Sequence, residues 1–230
     1  MAITLTLAHP GATRRAIRHL KRTDPVLANL ITQVGACRYQ LRSDGEHFDH
    51  LVRAIVYQQL AGKAAATIYT RLQALYGDRA PTPAELAGTP SARLRRAGLS
   101  RQKLGYLKDL SRRVASGHLV LDALATASDE DVIEALTAIR GIGVWTAQMF
   151  LMFRLGRLDV LPVLDLGIQK GMQRTYGLRR RPKPAQMERI AAQWRPYRSV
   201  ACWYLWRAVE LPDQGPRPAR KREGKTSGQQ

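Results

Sequence analysis

Cysteine, acidic residues and long apolar runs are all scarce in this chain of 230 residues. Cys37 and Cys202 are its only cysteines, too few for the four thiolates of an iron–sulfur cluster or an all-cysteine zinc site. Their wide separation supports no particular disulfide and fits a reducing compartment. No apolar run approaches the roughly 20 residues that span a bilayer, and residues 1–11 lack the pattern of a secretory signal. We therefore expect a soluble, cytoplasmic (intracellular) protein with no membrane partner.

Because acidic residues are scarce, the chain has a large excess of positive charge. The chain has 37 Lys and Arg against 18 Asp and Glu, which gives a formal charge of +19. Such an excess favours a polyanionic partner, with nucleic acid as the first candidate. The alternative is a general arginine bias with no specific partner. The apolar content of 45% is enough for one large helical domain or two small ones.

The spacing of apolar and capping residues predicts helices almost throughout. Thr23-Asp24-Pro25 combines an N-cap with a proline in the first turn, and Asp165 to Tyr176 reads as a helix that closes at Gly177. Ser199 is predicted to begin the last helix. Only residues 1–10 alternate, weakly, and could form at most a marginal strand pair. The predicted fold is all-α.

We expect a two-lobed helical bundle. Residues 44–160 form a bundle that ends in a helix-hairpin-helix motif, and residues 161–211 form a C-terminal helical lobe with which the N-terminal segment 1–43 packs. Residues 212–230, rich in Pro, Gly, Lys and Arg, are expected to be a disordered basic tail. The loop at 178–184, LRRRPKP, adds a second basic segment.

The segment Leu136–Ala147 reads as two helices joined by a hairpin, and Gly141 and Gly143 interrupt the helical pattern there. Amides at the start of the second helix can point at a phosphate, helped by the helix dipole. We therefore expect Gly141, Gly143 and Thr146 to bind the DNA backbone without reading bases. The alternative is an ordinary αα-hairpin with a glycine turn.

Two further segments give the hairpin its significance. Asp165 follows it by some 20 residues within Pro162–Gly171, and Ile55–Lys63 precedes it. Together these segments resemble the helix-hairpin-helix-GPD superfamily of DNA glycosylases, and most closely its 3-methyladenine DNA glycosylase II branch. The resemblance covers roughly residues 45–210. It implies a monomeric enzyme of base excision repair that binds double-stranded DNA containing a damaged base.

The resemblance assigns Asp165 the catalytic role of stabilising a cationic sugar at C1′ or aligning the attacking water. An Asp at a helix start is also a common N-cap, and the two roles are compatible because helix amides keep the carboxylate ionised. No general-acid partner is evident in the sequence. Alkylated purines already carry positive charge and leave without one, so 3-methyladenine and 7-methylguanine are the expected substrates.

Trp145 occupies the position where bifunctional members of the superfamily carry a Schiff-base lysine, so the resemblance implies a monofunctional enzyme. Trp145 could stack on the flipped base, and Trp206 matches an aromatic residue of the family's base pocket. For each tryptophan the alternative is simple core packing. The cleft between the lobes is expected to hold both together with Asp165.

The helix end at Gln58-Gln59-Leu60 matches the region that fills the gap left by the flipped base in the family. The usual wedge leucine aligns with Gln59, while Leu60 lies one place further on, so the identity of the wedge stays open. Two further departures from the family pattern are Ala61 in place of a serine and Leu164 in place of an acidic residue beside Asp165.

No cofactor is expected to be required. The resemblance implies a possible structural monovalent cation held by the backbone carbonyls of Thr137, Ile139 and Gly141. Two other functions stay open: a glycosylase for another lesion, such as uracil or mismatched adenine, and a non-catalytic DNA-binding module. The module has no need of Asp165 or of the paired tryptophans, and the adenine branch normally carries cluster cysteines.

Overall fold

The computed structural model describes residues 7, 11–42 and 45–212, and the predicted all-α fold is confirmed for this part of the chain. The predicted N-terminal strand and the basic tail lie, except for Leu7 and Pro212, outside the described residues. The described α-helices are α1 (Ala12–Thr23), α2 (Pro25–Val34), α3 (His47–Tyr57), α4 (Gly62–Ala74), α5 (Pro83–Gly88), α6 (Ser91–Arg96), α7 (Arg101–Ala115), α8 (Asp129–Thr137), α9 (Val144–Phe153), α10 (Leu166–Thr175), α11 (Pro184–Ala191) and α12 (Arg198–Glu210). Short 3₁₀ helices cover Leu121–Ala125 and Ala192–Trp194. No described helix is long and apolar enough to cross a membrane.

Of the helix starts expected at Asp24 and Ser199, the structure confirms the first and not the second. Asp24 caps α2, where its carboxylate accepts hydrogen bonds from the amides of Val26 and Leu27. The expectation that Ser199 begins the last helix is wrong, because α12 starts at Arg198. The buried Ser199 hydroxyl instead accepts a hydrogen bond from the amide of Val160, which satisfies a donor in the loop before α10.

The helices fall into two sets by their most extensive contacts. Helices α3 to α9 pack among themselves, and we call this set the central bundle. Helices α1, α2, α10, α11 and α12 form the second set, the terminal bundle, in which the contact between α10 and α12 is the largest. The domain boundaries expected from the sequence stay predictions. One buried apolar cluster extends through both sets.

Asp24 joins the beginning of the chain to its end. Its side chain is buried, with 1% exposed, and its second carboxylate oxygen accepts hydrogen bonds from Tyr176, Gln193 and Trp194 at 2.5–2.9 Å. A buried carboxylate is tolerated only when its lone pairs are satisfied, and here neutral donors satisfy them. The N-terminal helices are thereby fixed against the region that follows α10.

Candidate active site

Asp165 lies at the N-cap of α10. Its Oδ1 accepts a hydrogen bond from the amide of Ile168 at 2.8 Å, so the cap expected from the sequence is formed. The residue is only 8% exposed. The first amides of the helix and its dipole both favour a negative charge at this position. The fold therefore provides a largely desolvated carboxylate that is held at a helix N-terminus.

Two tryptophans hold the same carboxylate. Trp145, in the first turn of α9, donates its indole N–H to Oδ2 of Asp165 at 2.7 Å. Trp206, on α12, donates to Oδ1 at 2.9 Å. Three helices thus converge on one carboxyl group, and three neutral N–H donors fix its orientation. Trp145 is still 45% exposed as a residue, so it contacts the carboxylate and also reaches the open side of the site.

The close packing of α10 on α12 depends on two glycines four residues apart. A Cβ added to Gly167 would lie 2.8 Å from Cδ1 of Trp206, and one added to Gly171 would overlap the carbonyl of Leu205. Only glycine therefore lets Trp206 reach Asp165. These residues were missed in the sequence, although two glycines at helical spacing after Asp165 were a readable signal.

The hairpin between α8 and α9 needs Gly141 for two reasons. Gly141 has a φ of +84°, which disfavours L side chains, and a Cβ there would overlap the ring of Tyr106. The carboxylate of Asp109 accepts a hydrogen bond from the amide of Arg140 at 2.9 Å. The hairpin is therefore anchored to α7 through Tyr106 and Asp109, neither of which the sequence analysis identified.

The start of α9 is the second helix terminus at the site. Gly143 is its N-cap and is exposed, as is Val144. A glycine cap has no side chain to satisfy the first amides of the helix, which are therefore suited to an anion. Thr146 is buried and lines the neighbouring cavity, so its side chain lies behind this surface.

A cavity of about 690 Å³ opens beside Trp145. This volume lies in the range typical of ligand pockets. Asp165 does not line the cavity, but Trp145 belongs to its wall and Phe153 on the same wall packs against Trp206, with ring centroids 5.7 Å apart. The carboxylate thus contacts the wall directly through Trp145, and Trp206 lies between it and Phe153. The lining residues are Arg42, His50, Leu51, Arg53, Ala54, Tyr57, Gln58, Gln59, Gln102, Lys103, Tyr106, Gly141, Gly143, Trp145, Thr146, Met149, Phe150 and Phe153.

The ionisable groups of this wall are basic or neutral. Arg42, Arg53 and Lys103 line the cavity, and no described carboxylate does. The Lys103 ammonium donates to the carbonyl of Val56 at 2.7 Å. Burial, followed by repulsion from nearby arginines, lowers the pKa of His50 to about 4. His50 is therefore neutral at physiological pH, and the wall as a whole attracts anions.

The turn between α3 and α4 faces the hairpin. Gln58 donates its side-chain amide to the carbonyl of Gly141 at 2.8 Å, which ties the turn to the hairpin. Gln59 has a φ of +55° and lines the cavity, and Leu60 is 39% exposed although apolar. Gln58 is thereby occupied inside the protein, while Gln59 and Leu60 are left at the tip of the turn.

Two exposed leucines flank the carboxylate. Leu164 is 60% exposed and Leu166 is 57% exposed, on either side of the buried Asp165. Leu164 is the residue that departs from the acidic neighbour typical of the family. Because neither side chain contributes to the core, both are placed to contact whatever covers the carboxylate.

The carbonyls expected to hold a cation belong to the last residue of α8, Thr137, and to Ile139 and Gly141 in the hairpin that follows. The carbonyl of Gly141 accepts from Gln58, and that of Ile139 accepts from the amide of Ile142 at 3.1 Å. Each of these two carbonyl oxygens keeps a second lone pair. The cation stays a prediction. The part of the chain described contains no cluster of three His, Cys, Asp or Glu side chains that could hold a metal.

A model of the HhH-GPD superfamily of base excision DNA repair proteins matches residues 52–196, more than half of the chain. The chain belongs to this superfamily. The family resemblance inferred from the hairpin and Asp165 is therefore confirmed. The matched range contains Trp145 and Asp165 and ends before Trp206.

Individual HhH-GPD relatives share most of their length with this chain. DNA-3-methyladenine glycosylase 1 of Schizosaccharomyces pombe is 33% identical over 198 residues, covering 85% of this chain and 87% of the relative. The structure of the S. pombe 3-methyladenine glycosylase Mag1 with abasic DNA has a TM-score of 0.75 at 33% identity, covering 86% of this chain and 98% of that one. A DNA-3-methyladenine glycosidase from Bacillus halodurans has a TM-score of 0.77 at 38% identity, covering 89% and 91%.

Proposed function

We propose that this chain is a monofunctional DNA glycosylase that hydrolyses the N-glycosidic bond of alkylated purines, with 3-methyladenine and 7-methylguanine as preferred bases. The observation that carries the proposal is the Asp165 carboxylate, held by three N–H donors behind the aromatic wall of the cavity. The relatives named as 3-methyladenine glycosylases support the choice of base.

For such a base, the reaction requires a negative charge beside the sugar and does not require a general acid to protonate the leaving base. The bond between C1′ and the base breaks with its electron pair on the base, and the sugar becomes cationic. An oriented carboxylate stabilises that cation, and a water then bonds to C1′ and loses a proton. A methylated purine becomes neutral as it leaves, so it needs no proton donor. The negative charge of Asp165 is therefore the one catalytic group that release of such a base requires.

Aromatic and basic residues of the cavity wall suit different parts of the nucleotide. The faces of Trp145 and Phe153 are apolar and electron-rich, and an aromatic face attracts a cationic base by about 0.5–2 kcal/mol. The basic residues Arg42 and Arg53 suit the phosphates of the flipped nucleotide and its neighbours. This modest aromatic preference implies a broad range of alkylated bases.

Duplex DNA would be held by the hairpin and the turn. The first amides of α9, next to Gly143, bind a phosphate of the lesion strand. Gln59 and Leu60 enter the gap that the flipped base leaves, because both are exposed in the turn and have side chains long enough to fill it. The enzyme acts as a monomer inside the cell and requires no cofactor, with a monovalent cation at the hairpin as a structural aid.

Single-turnover excision from matched duplexes tests this function. Each duplex carries one lesion, and the panel contains 3-methyladenine, 7-methylguanine, uracil, hypoxanthine and mismatched adenine. We expect the two methylpurines to be released fastest. Faster release of uracil or mismatched adenine would overturn the lesion assignment, and no release from any duplex would overturn the glycosylase itself.

A further inference from the structure

A cluster of basic side chains lies in the terminal bundle and takes no part in the cavity. We call this cluster the basic face. All of its members are exposed, and within the described part of the chain none of their side chains forms a salt bridge. The only acidic residue between positions 178 and 192 is Glu188. The basic face consists of Lys21, Arg22, Arg179, Arg180, Arg181, Lys183 and Arg189.

A partly buried hydrogen bond links the two segments that carry the basic face. Lys21 and Arg22 lie in the last turn of α1, three and two residues before Asp24. The Asp24 carboxylate accepts from the hydroxyl of Tyr176 at 2.5 Å, and Tyr176 precedes the arginine loop by three residues. The residue two places after Arg22 is thus hydrogen-bonded to the residue three places before Arg179.

The end of α12 meets the same region. Arg174, in the last turn of α10, donates a hydrogen bond to the carbonyl of Pro212. The chain therefore leaves the described structure beside the basic face, and the sequence from 213 to 230 adds five further Lys and Arg against two acidic residues.

The basic face and the carboxylate lie at opposite ends of α10. Asp165 caps the N-terminus of this helix and the arginine loop follows its C-terminus. A helix of ten residues is about 15 Å long at 1.5 Å per residue. None of the basic-face residues lines the cavity. The arginine loop therefore begins about one helix length away from the carboxylate.

We propose that the basic face binds the backbone of a second DNA segment while the cleft holds the first. Exposed cations with few acidic neighbours displace the counterions that are condensed on DNA phosphates. This release gives affinity without sequence preference. A glycosylase with two such surfaces can pass directly between DNA segments. The inference rests on the proposed function only in taking the cleft as the site of the first duplex.

Duplex capture measures this second surface directly. A bead-tethered duplex with a stable abasic analogue occupies the cleft, and binding of a second, dye-labelled undamaged duplex is titrated. The variants R180Q/R181Q and K21Q/R22Q each remove two charges from the basic face. R95Q/R96Q removes two exposed charges from α6 in the central bundle and is the matched control. Melting temperatures verify that all three variants are folded.

Each phosphate contact contributes a salt slope of about 0.9, so two lost contacts weaken binding about tenfold or more at 0.1 M salt. We expect that loss of second-duplex affinity in both basic-face variants, and a change below about twofold in R95Q/R96Q. Absence of a captured second duplex, or an equal loss in the control, overturns the proposal. An equal loss of affinity for the single abasic duplex also overturns it, because the face would then contact the first duplex. Capture does not require excision, so a failure of the proposed activity is seen separately.

Discussion

Replacement of Trp145 by phenylalanine separates the two roles that this residue could have. Phenylalanine keeps an aromatic face toward the cavity but lacks the N–H that donates to Oδ2 of Asp165 at 2.7 Å. A hydrogen bond to a charged group is worth about 1.5–3 kcal/mol. If that interaction holds the carboxylate in its productive orientation, its loss slows base release about 10- to 100-fold. Alanine, which removes the face as well, should slow release only slightly further.

The assay is single-turnover release of 7-methylguanine at saturating enzyme, for Trp145→Phe and Trp145→Ala. Trp203→Phe is the control, because this buried indole packs on Tyr204 and Arg207 and makes no contact with Asp165 in the structure. We expect Trp203→Phe to retain the wild-type rate. The role of the N–H would be refuted by a Trp145→Phe rate within about threefold of wild type together with a severe loss in Trp145→Ala. That pair of results would show that stacking matters and the N–H does not.

Three further predictions concern the hairpin, the cavity wall and the reaction product. Gly141→Ala should weaken DNA binding and lower the free energy of unfolding by more than the ~1–2 kcal/mol cost of a left-handed alanine, since it also overlaps Tyr106. Gly117→Ala, at φ +74° in open space, measures that cost alone by denaturant unfolding, and equal losses would contradict the reasoning. The pKa of His50 is about 4 in the folded protein against about 6.5 unfolded, so the unfolded state binds the proton first and stability falls as the pH drops from 6.5 to 4. The melting temperature of His50→Gln should fall less over this window, and a parallel decline would disprove the assignment. Borohydride should trap no protein–DNA adduct, because Trp145 replaces the Schiff-base lysine, and an adduct in good yield would show a bifunctional enzyme.

The parts of the site that were predictable from the sequence are local. Gly141 and Gly143 interrupt a helical pattern, and Asp165 begins the next one at a spacing typical of the family. Both signals depend on backbone conformation within a few residues, so they can be recognised in the sequence without knowledge of the tertiary fold. The tryptophans at positions 145 and 206 were identified as site residues for their rings.

The remaining parts of the site depend on contacts between distant segments. The indole of Trp206 reaches Asp165 only because Gly167 and Gly171 allow α12 to approach α10, and periodicity does not state which helices pack together. Asp109 is one charged residue among many on α7 until the hairpin amide is placed on it. Serine favours helix starts, so the sequence predicts the last helix to begin at Ser199, whereas in the tertiary fold its hydroxyl accepts from the amide of Val160.

The replacement of Asp165 by asparagine is the measurement that tests the central claim most directly. Asparagine keeps an acceptor for Ile168 and Trp206 but loses the charge, and its NH₂ group then faces the N–H of Trp145. We predict that single-turnover release of 7-methylguanine falls at least about 100-fold, while affinity for a duplex with an abasic analogue changes little. A variant that binds this duplex normally and retains more than about a tenth of the wild-type rate, a loss below about 1.4 kcal/mol, would contradict the assignment of Asp165 as the catalytic carboxylate.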